Sequence, residues 1–288
     1  MEKVVINIGG CIRSGTTLLN LILGNQSNVL ALGEIKAFFY PNRKQHLFDR
    51  KNLIASDDRW QKIYDGGLEN FYDNLFQYFK EYDVFIDSSK DPLWYSRMEA
   101  ANPEVSFKSV LIYKHPKDMV RSLQKRGVSN YKKLVKNYYS DYFQIYQGTF
   151  FVISLYELLQ DDSVLKALCE YTGLEYREDR RCYWLNKNSV NFHGSDTARS
   201  NTKLLPEGTP FSQEDLKSLR DSDLKGWYRL YKTLSSNRII DNQKLDGLQI
   251  LNRFLCIAQK ELSERVFKLR LWIRDYIMDR KWIKAYER

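Results

Sequence analysis

The stretch VVINIGGCIRSGTTLLNLIL, residues 4–23, decides the fold. It opens with an apolar, β-branched run, continues with Gly9 and Gly10, and ends in leucine and isoleucine at helical spacing. This order predicts a strand at residues 4–8, a glycine loop, and a helix that stops at Gly24. Such a loop directs backbone N–H groups and the positive end of the helix dipole at one anionic group.

The loop almost spells the nucleotide-binding pattern GxxxxGK[ST], but Thr16 stands where that pattern has its lysine. The loop therefore lacks the lysine that usually contacts the β- and γ-phosphates of a nucleoside triphosphate, but its backbone N–H groups can still bind a single phosphate. The alternative is a tight strand-to-helix turn with no ligand. Glycines, an arginine and hydroxyl groups together at one helix start favour binding. The predicted binding residues here are Gly10, Arg13, Ser14, Gly15, Thr16 and Thr17.

The same alternation continues along the chain. Strand-like runs occur at residues 84–86, 109–113 and 151–155, and helix-like patterns at residues 94–100, 118–125 and 164–171. The alternation predicts an α/β fold of three layers, in which helices wrap a parallel sheet and ligands bind beyond the carboxyl ends of its strands. Between these units, residues 41–80 show no clean period, and residues 186–210 are rich in Ser, Asn, Thr and Gly. Loops at residues 36–80 and 186–210 are expected to form the acceptor pocket.

Composition sets the class of protein. The 288 residues, 43% hydrophobic and 28% charged, exclude wholesale disorder, and the net charge of +9 favours an anionic ligand or surface. Four cysteines without metal-ligand spacing predict reduced thiols and no zinc. No leader pattern and no long apolar run is visible, so a soluble, cytoplasmic protein is expected.

The carboxyl-terminal segment has its own pattern. Residues 248–288 carry ten Lys or Arg against five Asp or Glu, with apolar residues at helical spacing. We expect residues 1–240 to form the main domain and residues 241–288 a basic amphipathic helix. That helix packs on the domain or on a second copy in a homodimer, and contact with an anionic membrane surface remains an alternative.

Residues 8–19 (IGGCIRSGTTLL) resemble the 5′-phosphosulfate loop of sulfotransferases that use 3′-phosphoadenosine 5′-phosphosulfate (PAPS), especially the protein-tyrosine and carbohydrate types. The resemblance covers residues 4–35, 83–127 and 150–175. It continues in family order through Gly33-Glu34, Ser88-Ser89-Lys90-Asp91-Pro92, Tyr113-Lys114, Ser122, Arg126 and Tyr156-Glu157. It implies the P-loop-like sulfotransferase fold and transfer of a sulfuryl group from PAPS to a hydroxyl or amine, which leaves 3′,5′-ADP.

PAPS carries a ribose 3′-phosphate, which needs a second anion site. Lys114 follows a predicted strand, and Ser122 and Arg126 lie four apart on the predicted helix after it. The resemblance implies that these three residues hold the 3′-phosphate. The family has arginine more often at the position of Lys114, and lysine keeps the charge but loses the bidentate fork. The alternative is a solvated basic helix start.

The resemblance also implies the residues of the reaction. Lys90 and Arg13 match the cations at the migrating group, where they stabilise developing charge without a metal ion. The alternative for Lys90 is an ion pair with Asp87 or Asp91. Glu34 matches the base of the tyrosine-sulfating enzymes, and His46 is its rival.

Two further nucleotide contacts are carried over from the family. Tyr156 follows the predicted strand at residues 151–155, and Arg199 lies in a late loop that resembles the segment covering PAPS in related enzymes.

Two other functions compete with sulfuryl transfer. One is a nucleotide kinase or NTPase, in which Asp87 would bind magnesium at the end of its strand. The other is a non-enzymatic binder of a membrane or an anionic polymer through the carboxyl-terminal helix; nucleic acid is not an expected partner of the enzyme. The absent P-loop lysine opposes the first, and the phosphate loop is unexplained by the second.

Overall fold

A computed structural model describes residues 2–185, 189–200, 231–242, 257–263 and 265–266. Its centre is a seven-stranded sheet in the order β6-β2-β3-β1-β4-β5-β7. The first six strands are parallel, and β7 pairs antiparallel with β5 at one edge. The strands are β1 (Val4–Gly9), β2 (Val29–Gly33), β3 (Val84–Asp87), β4 (Ser106–Tyr113), β5 (Thr149–Ser154), β6 (Ser189–Phe192) and β7 (Ile239–Asp241).

Helices cover both faces of the sheet, which confirms the predicted fold class. The longer ones are α1 (Thr16–Leu23), α3 (Lys44–Ser56), α5 (Phe71–Tyr78), α6 (Pro92–Ala101), α7 (Pro116–Gln124), α8 (Tyr131–Ile145) and α10 (Asp162–Thr172). The shorter ones are α2 (Lys36–Phe39), α4 (Arg59–Asp65), α9 (Leu155–Gln160), α11 (Asp196–Ser200) and the single 3₁₀ turns Glu178–Arg181 and Tyr183–Leu185.

The sheet is apolar on both faces, as parallel strands between helices must be. Alternate residues of β1 enter different clusters: Val5 joins an aromatic-rich core with Phe38 and Tyr72, while Ile6 and Ile8 join an aliphatic core with α1 and α10. All six residues of β1 are buried. The central strand is therefore fixed from both sides, and the loop that follows it starts from a rigid point.

The prediction that residues 36–80 form loops was wrong. They fold into α2, α3, α4 and α5. The described part of residues 186–210 likewise contains the edge strand β6 and the short helix α11, while residues 186–188 and 201–210 lie outside the described residues. Helix α3 buries a single residue, His46, so its sequence carries no apolar stripe that would reveal a helix.

Most of the predicted carboxyl-terminal helix lies outside the described residues. Residues 257–263 are helical and are joined to α6 by two ion pairs, Arg97–Glu261 at 3.1 Å and Lys260–Asp91 at 3.1 Å. Whether this helix also meets a second copy or a membrane stays a prediction. Among the described residues, no helix combines the length and the apolar character that crossing a bilayer demands.

Candidate active site

The loop between β1 and α1 requires its glycines. Gly10 (φ 157°) and Gly15 (φ 108°) have positive φ angles, and Gly15 is the N-cap of α1. A Cβ on Gly10 would lie 2.5 Å from Ser14 Oγ and 2.8 Å from the carbonyl oxygen of Ile112. Helix α1 has no side-chain cap and no acidic residue in its first turn, so its free N–H groups are available to an anion.

A basic cluster lies beside this loop, at the carboxyl end of β4. Arg13 Nε donates to Ser122 Oγ at 3.4 Å. Burial, followed by the charge of Arg13, lowers the pKa of Lys114 to about 8. Burial and then Arg126 lower the pKa of Arg13 in the same way. Asp118 offsets part of this repulsion at Lys114, but none of the three cations forms an ion pair among the described residues, so the cluster favours an anion.

Across the loop, Glu34 and Lys90 form an ion pair with 2.5 Å between Oε1 and Nζ. Glu34 follows β2 and Lys90 follows β3, which are neighbouring parallel strands, so both residues emerge at the same sheet edge. The Glu34 N–H donates to the carbonyl oxygen of Phe192 at 2.7 Å. The ion-pair partner predicted as the alternative for Lys90 was wrong, since its partner is neither Asp87 nor Asp91.

Two tyrosines, the buried Tyr95 and the partly buried Tyr138, hold the backbone of Lys90, which has a φ of +63°. The Lys90 N–H donates to the Tyr95 hydroxyl at 2.7 Å, and that hydroxyl donates to the carbonyl oxygen of Ile8 at 2.8 Å. The Tyr138 hydroxyl accepts from the Gly10 N–H at 2.7 Å and donates to the carbonyl oxygen of Lys90 at 2.8 Å. Tyr138 therefore ties the phosphate loop to the Lys90 segment.

The phosphate loop, the basic cluster and the Glu34–Lys90 ion pair line one cleft of about 600 Å³. Three non-glycine residues have positive φ angles among the described residues, namely Arg13, Lys90 and His193, and all three line this cleft. Backbone strain of this kind concentrates where a fold positions functional groups. The other charged residues of the lining are Glu34, Arg43, Lys114 and Arg126.

Two solved structures with a similar architecture are sulfotransferase domains. One comes from the curacin biosynthetic pathway, with a TM-score of 0.50 and 14% identity over 80% of this chain and 98% of that domain. The other comes from the Synechococcus PCC 7002 olefin synthase, with a TM-score of 0.54 and 14% identity over 80% of this chain and 95% of that one. The chain has the sulfotransferase fold. No protein-family model and no curated protein matches its sequence.

Within this sulfotransferase fold, most of the predicted site residues come together. Gly15, Thr16 and Thr17 line the cleft with Arg13, and Ser122 contacts Arg13 from α7. The lining residues do not include Gly10 and Ser14, which shape the loop from its buried side. Arg126 was expected on the helix face of Ser122. Helix α7 ends at Gln124, however, so Arg126 reaches the cleft from the turn that follows.

Two predicted residues lie away from the cleft lining. The Tyr156 side chain is 62% exposed on α9, and its neighbour Leu155 lines the cleft instead. Arg199 is exposed near the end of α11. Their contacts with a nucleotide stay predictions. Glu157 caps α9 in a capping box with Ser154 and pairs with Arg238 at 2.7 Å.

The histidines are arranged differently from the expectation. His46 is buried behind His193, with ring centroids 4.2 Å apart, and it is His193 that lines the cleft. Burial, followed by the proximity of His193 and Arg43, lowers the pKa of His46 to about 4. His193 Nδ1 lies 3.5 Å from Asp49 Oδ2. The strained conformation of His193 and the position of Arg43 depend on tertiary contacts, so no sequence motif marks either residue.

Asp87, the magnesium ligand of the kinase alternative, is fully buried. Its Oδ2 accepts from the Tyr72 hydroxyl and from Trp94 Nε1, each at 2.7 Å, and its Oδ1 accepts from the Ser89 N–H at 2.7 Å. These three donors occupy the carboxylate, so Asp87 serves the core rather than the cleft. The described residues contain no cluster of three or more His, Cys, Asp or Glu side chains arranged to hold a metal ion.

Proposed function

We propose that this protein is a PAPS-dependent sulfotransferase, which moves a sulfuryl group from PAPS to a hydroxyl or amine of an acceptor. One observation carries the proposal: a single cleft offers two separate places for an anion, the cations Arg13, Lys114 and Arg126 and the uncapped start of α1, and the ion pair of Lys90 with Glu34 lines the same cleft. PAPS likewise carries two separate anionic groups. The sulfotransferase fold supports the same assignment.

The basic cluster suits the ribose 3′-phosphate. Lys114 and Arg126 supply charge, and Ser122 supplies a hydroxyl donor. The amides at the start of α1 suit the 5′-phosphosulfate, with Thr16 and Thr17 beside them. Apolar side chains next to the cations, Leu123 and Val128 among them, suit the adenine base.

The reaction is an in-line displacement at sulfur. The acceptor oxygen or nitrogen forms a new bond to sulfur while the bond from sulfur to the bridging phosphate oxygen breaks, and 3′,5′-ADP leaves with that electron pair. Lys90 and Arg13 stabilise the negative charge that develops on the leaving oxygen. Glu34 takes the acceptor proton. The Gly33-Glu34 pattern favours the protein-tyrosine or carbohydrate type of sulfotransferase.

The kinase alternative has less support. Thr16 replaces the lysine that handles a triphosphate, and Asp87 is buried with its hydrogen bonds made within the core. The binder alternative leaves the ion pair between Glu34 and Lys90 without a role.

Calorimetry with 3′,5′-ADP, 5′-AMP and ATP tests the proposal. Because a hydrogen bond to a charged group contributes about 1.5–3 kcal/mol, 3′,5′-ADP should bind at least about tenfold more tightly than 5′-AMP. Arg126→Gln should narrow that difference. Lys125→Gln, an exposed neighbour outside the cleft lining, is the matched control and should not. Equal affinities for 3′,5′-ADP and 5′-AMP, or tighter binding of ATP, would contradict the proposal.

A further inference from the structure

Arg43 lines the cleft, but neither anionic group of the donor accounts for it. It lies at the Glu34 end, because both Arg43 and Glu34 act electrostatically on His46, whose ring touches His193. The cations beside Ser122 interact with one another instead. Arg43 therefore belongs to the part of the cleft where the acceptor enters.

The charge of Arg43 is uncompensated. Among the described residues its side chain has no hydrogen bond and no ion pair, whereas Arg59, next along the surface helices, is paired with both Asp57 and Glu81. Arg43 is also the N-cap of α3, whose first turn contains no acidic residue. A cation at a helix N-terminus is repelled by the helix dipole. The side chain is exposed in the cleft, where it is available to an anion.

The other groups at this end are polar. Glu34, Lys90 and His193 line it with Arg43. The nearby aromatic residues pack against one another, as Phe38 does with Phe39 and Phe39 does with Trp94, and they are not part of the lining. These charged and imidazole groups suit a polar acceptor. Glu34 does not repel an anion strongly, because Lys90 already neutralises it at 2.5 Å.

Resting on the proposed function, we infer that the acceptor carries an anionic group close to the hydroxyl or amine that is sulfated, and that Arg43 binds this group. Carboxylate, phosphate and sulfate share the necessary chemistry, because each offers two oxygens to the planar guanidinium fork. Arg43 thus determines specificity for the acceptor and has no role in holding the donor.

The test uses the full chain saturated with 3′,5′-ADP, so that the donor half of the cleft is occupied. Acetate, phosphate and sulfate are titrated separately at constant ionic strength, and binding is followed by calorimetry. We expect at least one of the three to bind and the order of their affinities to identify the anion. Arg43→Gln should weaken that binding at least fivefold. Lys44→Gln, an exposed lysine on the same helix outside the lining, removes the same charge and should leave it unchanged.

The outcomes separate the two proposals. Failure of 3′,5′-ADP to bind the wild-type protein would overturn the proposed function. If the nucleotide binds, three results would overturn the role of Arg43: no anion binds, Arg43→Gln and Lys44→Gln behave alike, or binding is lost in Lys90→Met but kept in Arg43→Gln. Loss of 3′,5′-ADP affinity in Arg43→Gln would also overturn it, because Arg43 would then belong to the donor site.

Discussion

Glu34 and Lys90 lie 56 positions apart in the chain, yet their side chains meet at 2.5 Å. The meeting follows from topology, because β2 and β3 are parallel neighbours whose carboxyl ends lie at one edge of the sheet. The carboxylate and the ammonium are three-quarters or more buried, so water screens their attraction weakly. The proposed base and the proposed leaving-group cation are therefore held as one unit before any ligand arrives.

Glu34→Gln separates binding from chemistry. The amide is nearly isosteric but does not accept a proton usefully, so turnover should fall by about 10²- to 10⁴-fold while 3′,5′-ADP binds almost as before. Lys90→Met should also lower turnover, with at most a moderate loss of nucleotide affinity, because it removes charge at the leaving group. Steady-state kinetics and calorimetry give the two readouts, and Glu104→Gln, an exposed carboxylate outside the cleft lining, is the control.

Variants of the two histidines could give the result that would contradict Glu34 as the catalytic base. If Glu34→Gln keeps near-normal turnover while His193→Asn or His46→Ala abolishes it, the base is a histidine and the role given to Glu34 is wrong. The donor assignment would survive that result, since neither histidine belongs to the basic cluster at Ser122.

Nucleotide binding should take up protons above pH 8. Burial and Arg13 hold the pKa of Lys114 near 8 in the free protein, and a phosphate beside it would raise that pKa again. Affinity for 3′,5′-ADP should therefore fall as the pH rises through 8. Calorimetry at pH 8.5 in buffers of different ionisation enthalpy measures the uptake, and Lys114→Met should abolish it. Uptake that is absent in the wild type, or unchanged in the variant, would refute the assignment.

The lowered pKa of Lys114 also affects the stability of the free protein, and this effect has the opposite pH dependence to the effect on nucleotide affinity. Unfolded chains keep the lysine pKa near 10.5, so between pH 8 and 10.5 the unfolded state binds more protons at this residue. The contribution of Lys114 to the free energy of unfolding therefore rises with pH across that window.

Turnover should persist in EDTA. In the proposed mechanism Lys90 and Arg13, which both line the cleft, stabilise the developing charge, which is the task of magnesium in kinases. A radioactive transfer assay with and without EDTA and added magnesium checks this expectation. A strict magnesium requirement with ATP as the donor would favour the kinase alternative instead.

Tyr138→Phe should lower turnover more than the removal of another tyrosine hydroxyl from the core does. It removes the hydroxyl that joins the Gly10 N–H to the Lys90 carbonyl, so turnover should fall roughly tenfold. Tyr146→Phe is the matched control, because its hydroxyl accepts from Ser109 Oγ and donates to Glu99 Oε1, each at 2.7 Å, rather than joining the phosphate loop to Lys90. Both variants should lower stability by about 1–3 kcal/mol in urea unfolding. Equal effects on turnover would show that Tyr138 has only a structural role.

The sequence predicted those parts of the fold and the site that local patterns specify. Apolar runs mark β1, β3, β4 and β5, and glycines mark the phosphate loop, because strand burial and positive φ angles restrict the choice of residue. Arg43, Tyr138 and His193 were missed. Arg43 precedes a helix without an apolar stripe, and Tyr138 is one of many aromatic residues on α8. Their roles depend on which segment packs beside them, which no local pattern encodes.

The left-handed conformations at Arg13, Lys90 and His193 have a consequence for how this protein can evolve. Each costs on the order of 1 kcal/mol that glycine would avoid. Glycine would relax the backbone but remove the guanidinium, the ammonium or the imidazole from the cleft. Substitutions selected for thermal stability alone would therefore favour glycine at these three positions, and under the proposed function the resulting chains would be more stable but less active.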